Sequence, residues 1–420
     1  MKGKYVIYGM ILFGLVILVA TVLPIPLATA IDKPSWSIGD NWDYKGNMKY
    51  YVKIGDETLN FNIEGEMDIS ILFKISVNDT VVKIINNKPV VCYLLWIESY
   101  INGGGVIEML INFEDNSYTL YPTVNIKVSA SGETYLTTKE IAVSESNLLT
   151  DAKIDIIVDA PGVPDGVLTT LGLRNQTISA KNETKVSYEP PLNFLNFPIN
   201  EGEEWWSNCT AKYVMGGEEE SIDIELKFRC TETGRNIATI LSDYVPFIGD
   251  ITIDIMGYPV PIMNFENTTL QWNSDKGMIE KIINRESIDD EGIKISSNLV
   301  VNLTNFNYNP RTNKPGSASI ICQNTSNVKE SISFRAEASD EDGILAYYWD
   351  FGDGSTSNKT NPTHAYNKAG KYTVKLTVID KYGEETTATK TIEVKGGDKT
   401  PGFEILFVLI AILIAIKKRF

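Results

Sequence analysis

Histidine is what this sequence most lacks, with a single imidazole, His364, in 420 residues. Ser-His-Asp and Cys-His catalysis, and most zinc and iron centres, need one or more imidazoles, because no other side chain titrates unperturbed near neutrality. Histidine-dependent chemistry is therefore excluded for most of the chain. Basic charge is also short: 38 Lys and Arg stand against 54 Asp and Glu, a net −16 spread along the chain rather than gathered in blocks. Phosphates need a concentrated basic face, so nucleic acid is not an expected partner. Helical periodicity is missing outside the two ends. What the body has instead is short alternating runs rich in Tyr, Trp, Val, Ile and Thr, punctuated by Gly and Asn, which predicts a mainly β protein. The 43% hydrophobic content is ordinary for domains with proper cores.

The ends read as targeting segments. Lys2 and Lys4 precede an apolar stretch from Tyr5 to about Leu23, and Pro24, Pro26 and Ala28-Thr29-Ala30 close it. This order predicts a secretory signal peptide over 1–30 with cleavage after Ala30, the alternative being an uncleaved helical anchor. No cysteine follows the site, so a bacterial-type lipoprotein anchor is not supported. At the other end, Pro401-Gly402-Phe403 leads into an apolar run from Ile405 to Ile416 and then Lys417-Lys418-Arg419. That run is short of the ~20 residues that span a bilayer comfortably. The segment 397–420 resembles the PGF-CTERM sorting signal of archaeal surface proteins, with Pro401, Gly402 and Phe403 as its motif. The resemblance implies recognition by an archaeosortase, removal of the tail and attachment of a membrane lipid. A plain C-terminal transmembrane helix would give the same cell-surface location.

Asn78, Asn175, Asn182, Asn208, Asn267, Asn302, Asn324 and Asn358 each begin an Asn-x-Ser/Thr triplet without proline, as expected of a glycosylated exterior molecule. Four cysteines in an exported chain allow three connectivities. Cys209 and Cys230 bracket an expected hairpin and are the favoured pair, which leaves Cys92 with Cys322.

Over 313–396 short alternating strands are separated by turn signals, the pattern of a two-sheet sandwich. Ala338-Ser339-Asp340-Glu341-Asp342-Gly343, the run Trp349-Asp350-Phe351-Gly352-Asp353-Gly354, Asn361-Pro362-Thr363-His364-Ala365-Tyr366 and Ala369-Gly370-Lys371-Tyr372 follow in order. Together they resemble a polycystic-kidney-disease (PKD) domain, an immunoglobulin-like β-sandwich. The resemblance implies a spacer or binding module rather than an enzyme. Trp349 is expected to be the buried ring, and His364 with Tyr366 to lock a loop by hydrogen bonds. Asp340, Asp342 and Asp380 invite a calcium reading, because hard cations want several oxygens converging from nearby loops; two solvated turns are the plainer alternative. No other cofactor is implied.

Residues 31–312 contain an echo. Trp36-Ser37-Ile38-Gly39-Asp40-Asn41-Trp42 returns as Phe197-Pro198-Ile199-Asn200-Glu201-Gly202-Glu203-Glu204-Trp205-Trp206, each copy setting a glycine turn before a tryptophan. The expectation is two related antiparallel β-domains, 31–195 and 196–312. Their scattered motifs resemble exported β-proteins of the half-barrel lipoprotein type, which implies a concave sheet able to hold an apolar or sugar ligand. Trp36, Trp42, Trp205 and Trp206 are more simply read as core anchors. The clusters Glu201-Gly202-Glu203-Glu204 and Glu218-Glu219-Glu220 invite a glycoside-hydrolase carboxylate pair, and charged turns explain them more simply. The resulting expectation is a non-enzymatic, membrane-anchored surface glycoprotein that binds a glycan or protein. An exported carbohydrate-active hydrolase and a ligand-capture protein with a half-barrel pocket are its rivals.

Overall fold

The computed structural model describes residues 31–396 and 410–411, apart from 32, 56–60, 114, 171–174, 216–217, 235, 245–250, 256–257, 264–265, 291 and 312–313. The expected signal peptide and the motif at Pro401, Gly402 and Phe403 lie outside the described residues. So do the expected helical ends, except that 410 and 411 are helical. Among the described residues no helix is long and apolar enough to cross a membrane. Contacts divide the chain into two units, 1–81 with 92–312 and 82–91 with 313–420.

One closed barrel of twelve strands holds the ladder of the first unit. Its strands are β1 (Asn41–Ile54), β2 (Phe61–Ile85), β3 (Lys88–Phe113), β4 (Asn116–Thr137), β5 (Val143–Asp159), β6 (Gln176–Leu192), β7 (Glu204–Met215), β8 (Glu218–Gly234) and β9 (Ile237–Tyr244). A separate hairpin follows, β10 (Ile251–Ile255) with β11 (Tyr258–Met263), and then β12 (Glu266–Asn273), β13 (Met278–Asp290) and β14 (Ile293–Asn307) complete the ring. The order around it is β1-β14-β13-β12-β9-β8-β7-β6-β5-β4-β3-β2.

This corrects the expectation of two N-terminal domains. β6 pairs with β7 through Lys185–Glu189, and β1 pairs with β14 from Asn41↔Asn307 to Ile54↔Ile293. Strands from 31–195 and 196–312 therefore share one sheet. The physical reason is the sheet edge: each half alone would leave two rows of unpaired N–H and C=O groups, and joining the halves at both seams removes all four.

Alternation along the strands sets which side is dry. On β1, Trp42, Tyr44, Met48, Tyr50, Val52 and Ile54 are buried while Lys45, Asn47, Lys49 and Lys53 are exposed. Side chains alternate faces with period two, so apolar residues point inward and charged ones outward. Outer-membrane barrels carry the reverse, an apolar band outside and a polar interior. The outer wall carries ion pairs such as Lys53–Glu64 at 2.5 Å, Lys212–Glu189 at 3.1 Å and Lys294–Asp289 at 3.1 Å, together with exposed apolar side chains such as Leu72, Tyr100, Val106 and Leu149. Each such exposed pair contributes little stability on its own.

The proximal end of the barrel, where β1 begins and β14 ends, is packed with the aromatic residues of the echo motifs. The Trp36 ring lies 5.5 Å from that of Trp42 and 5.2 Å from that of Tyr93. Trp36 Nε1 donates to the Gly277 carbonyl at 2.9 Å, and Trp42 Nε1 to that of Lys276 at 2.6 Å. In the second copy Trp205 Nε1 donates to the Phe194 carbonyl at 3.1 Å, and Phe197 sits 5.7 Å from Trp272. A backbone bridge between Ile31 and Ile199 ties the two copies together. Gly39 and Gly202 both adopt positive φ, at 97° and 79°, which glycine reaches without a Cβ penalty. The echo thus marks equivalent turns at one end of one barrel. Trp206 departs from the anchor expectation: it is 57% exposed on the outer wall, with Lys227 Nζ 5.8 Å from its ring centre.

The second unit contains β15 (Ser317–Ile321), β16 (Thr325–Asn327), β17 (Ser331–Ser333), β18 (Arg335–Ser339), β19 (Ile344–Asp350), β20 (Thr356–Ser357), β21 (Thr363–Ala365), β22 (Gly370–Asp380) and β23 (Glu385–Lys395). Five of them form the sheet β16-β23-β22-β19-β20, and β15-β18 and β17-β21 pair separately. Ile332, Phe334, Trp349, Phe351, Tyr366, Val374, Leu376, Val378, Ile392 and Val394 make the core between them.

Candidate functional site

In the second unit the residues of chemical interest gather at two places. The first surrounds the single imidazole. The His364 ring stacks on Phe351 at 4.2 Å and meets Tyr366 edge-on at 4.7 Å, and its Nε2 lies 2.8 Å from Asp353 Oδ2. Tyr366 Oη donates to the Phe351 carbonyl at 3.0 Å, and Trp349 Nε1 to the Lys359 carbonyl at 2.9 Å. Gly352 lies at φ 78°, and a Cβ there would sit 2.6 Å from the Thr373 carbonyl oxygen, so the turn needs glycine for both conformation and space. Every polar atom named here points at the loop it closes, which is an arrangement for holding a turn.

Asp353 is shifted by this setting. Burial pushes its carboxyl up, but the Ser355 amide and His364 outweigh burial and hold it below its ordinary value. A carboxyl whose pKa is lower in the folded state stabilises the fold above its unfolded pKa, and that contribution is lost as pH falls through the folded value. The melting temperature of the second unit is therefore expected to fall between pH 5 and pH 2. Asp353→Asn is expected to flatten that profile, as calorimetry across the range would show.

The second place is the carboxylate cluster. Asp340, Asp342 and Asp380 bring one oxygen each within 4.8 Å of one another, joining the turn after β18 to the turn after β22. Asp340 Oδ1 accepts from the Asp342 amide at 2.8 Å, and Asp380 Oδ1 accepts from the amides of Tyr382 and Glu384, both at 2.8 Å. Asp380 is only 2% exposed. A small pocket beside them is lined by Gly316, Ser339, Ile344 and Glu384. At Gly316 a Cβ would lie 2.6 Å from Asp340 Oδ2 and 2.7 Å from the Ser339 carbonyl oxygen, so the glycine keeps that flank of the carboxylates open. Three convergent carboxylates with carbonyl oxygens nearby fit a hard divalent cation.

Of the acidic clusters of the barrel, Glu201 and Glu203 lie in the turn before β7, whereas Glu204 begins β7 and Glu218-Glu219-Glu220 begins β8. Glu203 accepts from the Asn200 amide at 3.1 Å and from Asn196 Nδ2 at 2.8 Å, Glu201 accepts from Thr233 Oγ1 at 2.9 Å, and Glu204 pairs with Lys227 at 2.9 Å. Glu220 accepts from Tyr213 Oη at 2.7 Å.

None of the four cysteines forms a disulfide, which corrects both expected pairings. Cys209 and Cys230 do lie on the paired strands β7 and β8, but Cys209 stands opposite Ile224 while Arg229, beside Cys230, stands opposite Glu204. At ~3.3 Å per residue that offset is about 20 Å, far beyond the ~7 Å that a disulfide spans between Cα atoms. Burial pushes both thiols up to about 11. Cys92 Sγ is 3.9 Å from Ser144 Oγ, and Cys322 is half-buried in the second unit.

Of the expected glycosylation positions, Asn78, Asn175, Asn208, Asn267, Asn302, Asn324 and Asn358 are exposed. Asn182 is half-buried and pairs across the ladder with Thr150, an inward-facing residue 3% exposed. The inward-facing Ser and Thr residues of the barrel were not singled out from the sequence. Their common parity with buried aliphatic residues, as in Thr134, Leu136 and Ser144, Ser146, Leu148, is the signal that could have found them.

The family match lies in the second unit. Residues 313–395 match the model of the PKD domain. Collagenase ColA of Clostridium perfringens is 40% identical over 126 residues, 29% of this chain and 11% of the relative. A microbial collagenase of Vibrio alginolyticus is 44% identical over 93 residues, 21% of this chain and 11% of the relative. The chain thus spans about a tenth of the length of these curated relatives. The crystal structure of the PKD1 domain of Vibrio anguillarum Epp is 36% identical, covering 20% of this chain and all of that one, with a TM-score of 0.19. With the buried Trp349, the Gly352 turn and the His364 lock in place, residues 313–395 belong to the PKD domain family.

Proposed function

We propose that this chain is an exported, non-catalytic binding protein of the cell surface, whose PKD module is a spacer or interaction module braced by calcium. The observation that carries the reading is the convergence of Asp340, Asp342 and Asp380 beside the open flank at Gly316. A bound cation would tie the two turns together and offset the mutual repulsion of three carboxylates; Asp340 and Asp342 would hold it from the turn after β18 and Asp380 from the end of β22. The engaged state of His364, Glu201, Glu203 and Glu204 supports binding over hydrolysis, since a glycosidase needs two acids left available across a cleft. The outward-charged barrel wall and the presence of a PKD domain support an exterior location. The C-terminal Pro-Gly-Phe signal supplies the attachment to the membrane, through an archaeosortase-type enzyme.

The cation is tested by calorimetry of the full chain. Calcium at about a hundred times its dissociation constant stabilises a folded domain by ~2.7 kcal/mol. For a domain of this size that is a rise of roughly 10–20 °C in the transition of the second unit. A chelator is expected to reverse the rise and Asp342→Ala to remove it. Asp342 is the cleaner site, because replacing Asp380 would also release the amides of Tyr382 and Glu384. A transition indifferent to calcium would sink the brace, and turnover of a polysaccharide or protein substrate would sink the non-catalytic reading. Recovery of an intact peptide through Phe420 from native membranes would show that the tail is not exchanged for a lipid.

A further inference from the structure

The barrel interior carries features that neither the PKD module nor the proximal aromatic cluster explains. At the distal end, where β5 leads to β6, β7 to β8 and β13 to β14, four isoleucines face inward yet remain open to solvent. Ile178 stands opposite Ile154, Ile222 opposite Ala211, Ile288 opposite Ile295 and Ile293 opposite Ile54. Directly opposed residues in a ladder share a face, and each of these partners is at most 9% exposed, whereas the four isoleucines are 37–57% exposed. An inward-facing side chain stays wet only where the interior opens. The distal mouth is thus rimmed by apolar groups. The proximal end, by contrast, is filled by Trp36, Trp42 and Trp272, each fully buried.

Deeper inside, buried polar atoms lack partners. Ser99 Oγ, Thr184 Oγ1 and Tyr44 Oη make no hydrogen bond, although these residues are between 1% and 2% exposed. Ser99 and Thr184 lie on adjacent inward rungs of one wall: Ser99 opposes Ala130, while Thr184 opposes Leu148, which in turn opposes Gly132. Small and hydroxylic side chains, Ala130, Gly132, Thr134, Ser146, Thr150 and Ala152, are interspersed there with Ile97, Leu136 and Leu148, whereas β1 and β2 present larger ones at Met48, Tyr50, Met67, Ile69, Ile71 and Phe73. Eight strands already give a barrel wide enough to be filled or to hold one small ligand, and width grows with strand number. Small side chains along one wall of a twelve-stranded ring therefore leave room. A buried hydroxyl without a partner loses its hydrogen bond to water and gains nothing in return, so a ligand group that supplies one is bound with advantage.

We propose that the barrel is a chamber for one extended amphiphile, an acyl or prenyl chain carrying a hydroxyl or carboxyl group, which enters past the distal isoleucines and meets Ser99 and Thr184 inside. Aliphatic and aromatic side chains outnumber hydroxyls in the lining, which disfavours a sugar polymer, most of whose hydroxyls would be left unpaired. The length of the walls favours a chain over a compact ligand: β5 alone has 17 residues, about 55 Å of strand at ~3.3 Å per residue. This specifies the ligand of the binding function proposed above and rests on that reading.

The test titrates the full chain with cis-parinaric acid, whose fluorescence rises in apolar surroundings, and then displaces it with palmitate or with geranylgeraniol. Saturable one-to-one binding with displacement is expected, and the better competitor identifies an acyl or a prenyl source. Ile222→Lys combined with Ile288→Lys alters exposed residues, so the fold is expected to survive, and binding is expected to weaken at least tenfold. Ser99→Ala is expected to weaken a competitor bearing a polar group by about fivefold and to leave its hydrocarbon analogue unchanged. Trp206→Ala, on the outer wall, is the control and is expected to change nothing. Absence of saturable binding would overturn the chamber, as would binding that ignores the rim substitutions or is lost with Trp206. Chemical conversion of the bound probe would instead overturn the non-catalytic reading and leave the chamber in place.

Discussion

Replacing Trp349 with alanine is expected to unfold the PKD module at ambient temperature while leaving the transition of the barrel in place. The indole is fully buried among Phe334, Phe351, Leu376 and Ile392, with the Phe334 ring 5.7 Å away, and its Nε1 carries the hydrogen bond to Lys359 that anchors the loop before β21. Truncating a buried tryptophan costs ~3–5 kcal/mol. A domain of this size has a total stability on the order of 4–12 kcal/mol. The loss therefore consumes most of the margin, and the Lys359 carbonyl is left without its donor as well. Calorimetry of the full chain reads the result as disappearance of one transition. A shift of only a few degrees would mean that the ring is not the keystone of this core.

Gly105→Val is expected to have the largest effect in the barrel. A Cβ at Gly105 would sit 1.9 Å from the Glu66 carbonyl oxygen, and one at the neighbouring Gly103 would sit 2.3 Å from that of Asp68. These are backbone atoms of the adjoining strand β2, so no rotamer change relieves the clash. The two strands must part, which breaks ladder hydrogen bonds worth ~1 kcal/mol each on top of ~1–3 kcal/mol or more of overpacking. The expected outcome is insoluble or protease-sensitive protein. Gly166→Ala, where a Cβ meets open space, serves as the control and is expected to be silent. Normal folding of Gly105→Val would show that β2 and β3 tolerate separation there.

These two residues also mark how far the sequence could be read. Trp349 sits in an unbroken local motif, and every partner that gives the motif meaning, from Asp340 to Tyr372, lies within a few dozen residues, so the PKD sandwich and its His364 lock were legible in advance. The carboxylates were legible as residue types, but their convergence depends on β18 and β22 ending on the same side, which only the fold supplies. Gly103-Gly104-Gly105 would ordinarily punctuate a loop and instead lies inside β3, because the approach of β2 and β4 leaves no room for side chains. The Cys209–Cys230 hairpin was read correctly as a hairpin and wrongly as a disulfide, since a register offset leaves no trace in spacing alone. The echo at Trp36 and Phe197 was visible, yet two copies of a turn fit two domains as well as two seams of one ring. Nothing local distinguishes a half-barrel from half of a barrel. The inward hydroxyls went unnoticed for a related reason: their role depends on what the opposite face encloses.

Closure of the ring by β1 against β14 constrains when the protein can fold. The last ladder joins Asn41–Ile54 to Ile293–Asn307, so its contacts span nearly the whole first unit in sequence. Loop-closure entropy must be met before such distant pairings are rewarded, which makes this step slow compared with local hairpins. During synthesis, N-terminus first, β1 has no partner on one side until β14 has been made. Through that interval the aliphatic lining remains available to water and to other chains, a state prone to aggregation. The PKD sequence follows β14 in the chain and folds on local contacts, so its completion does not wait for the ring to shut.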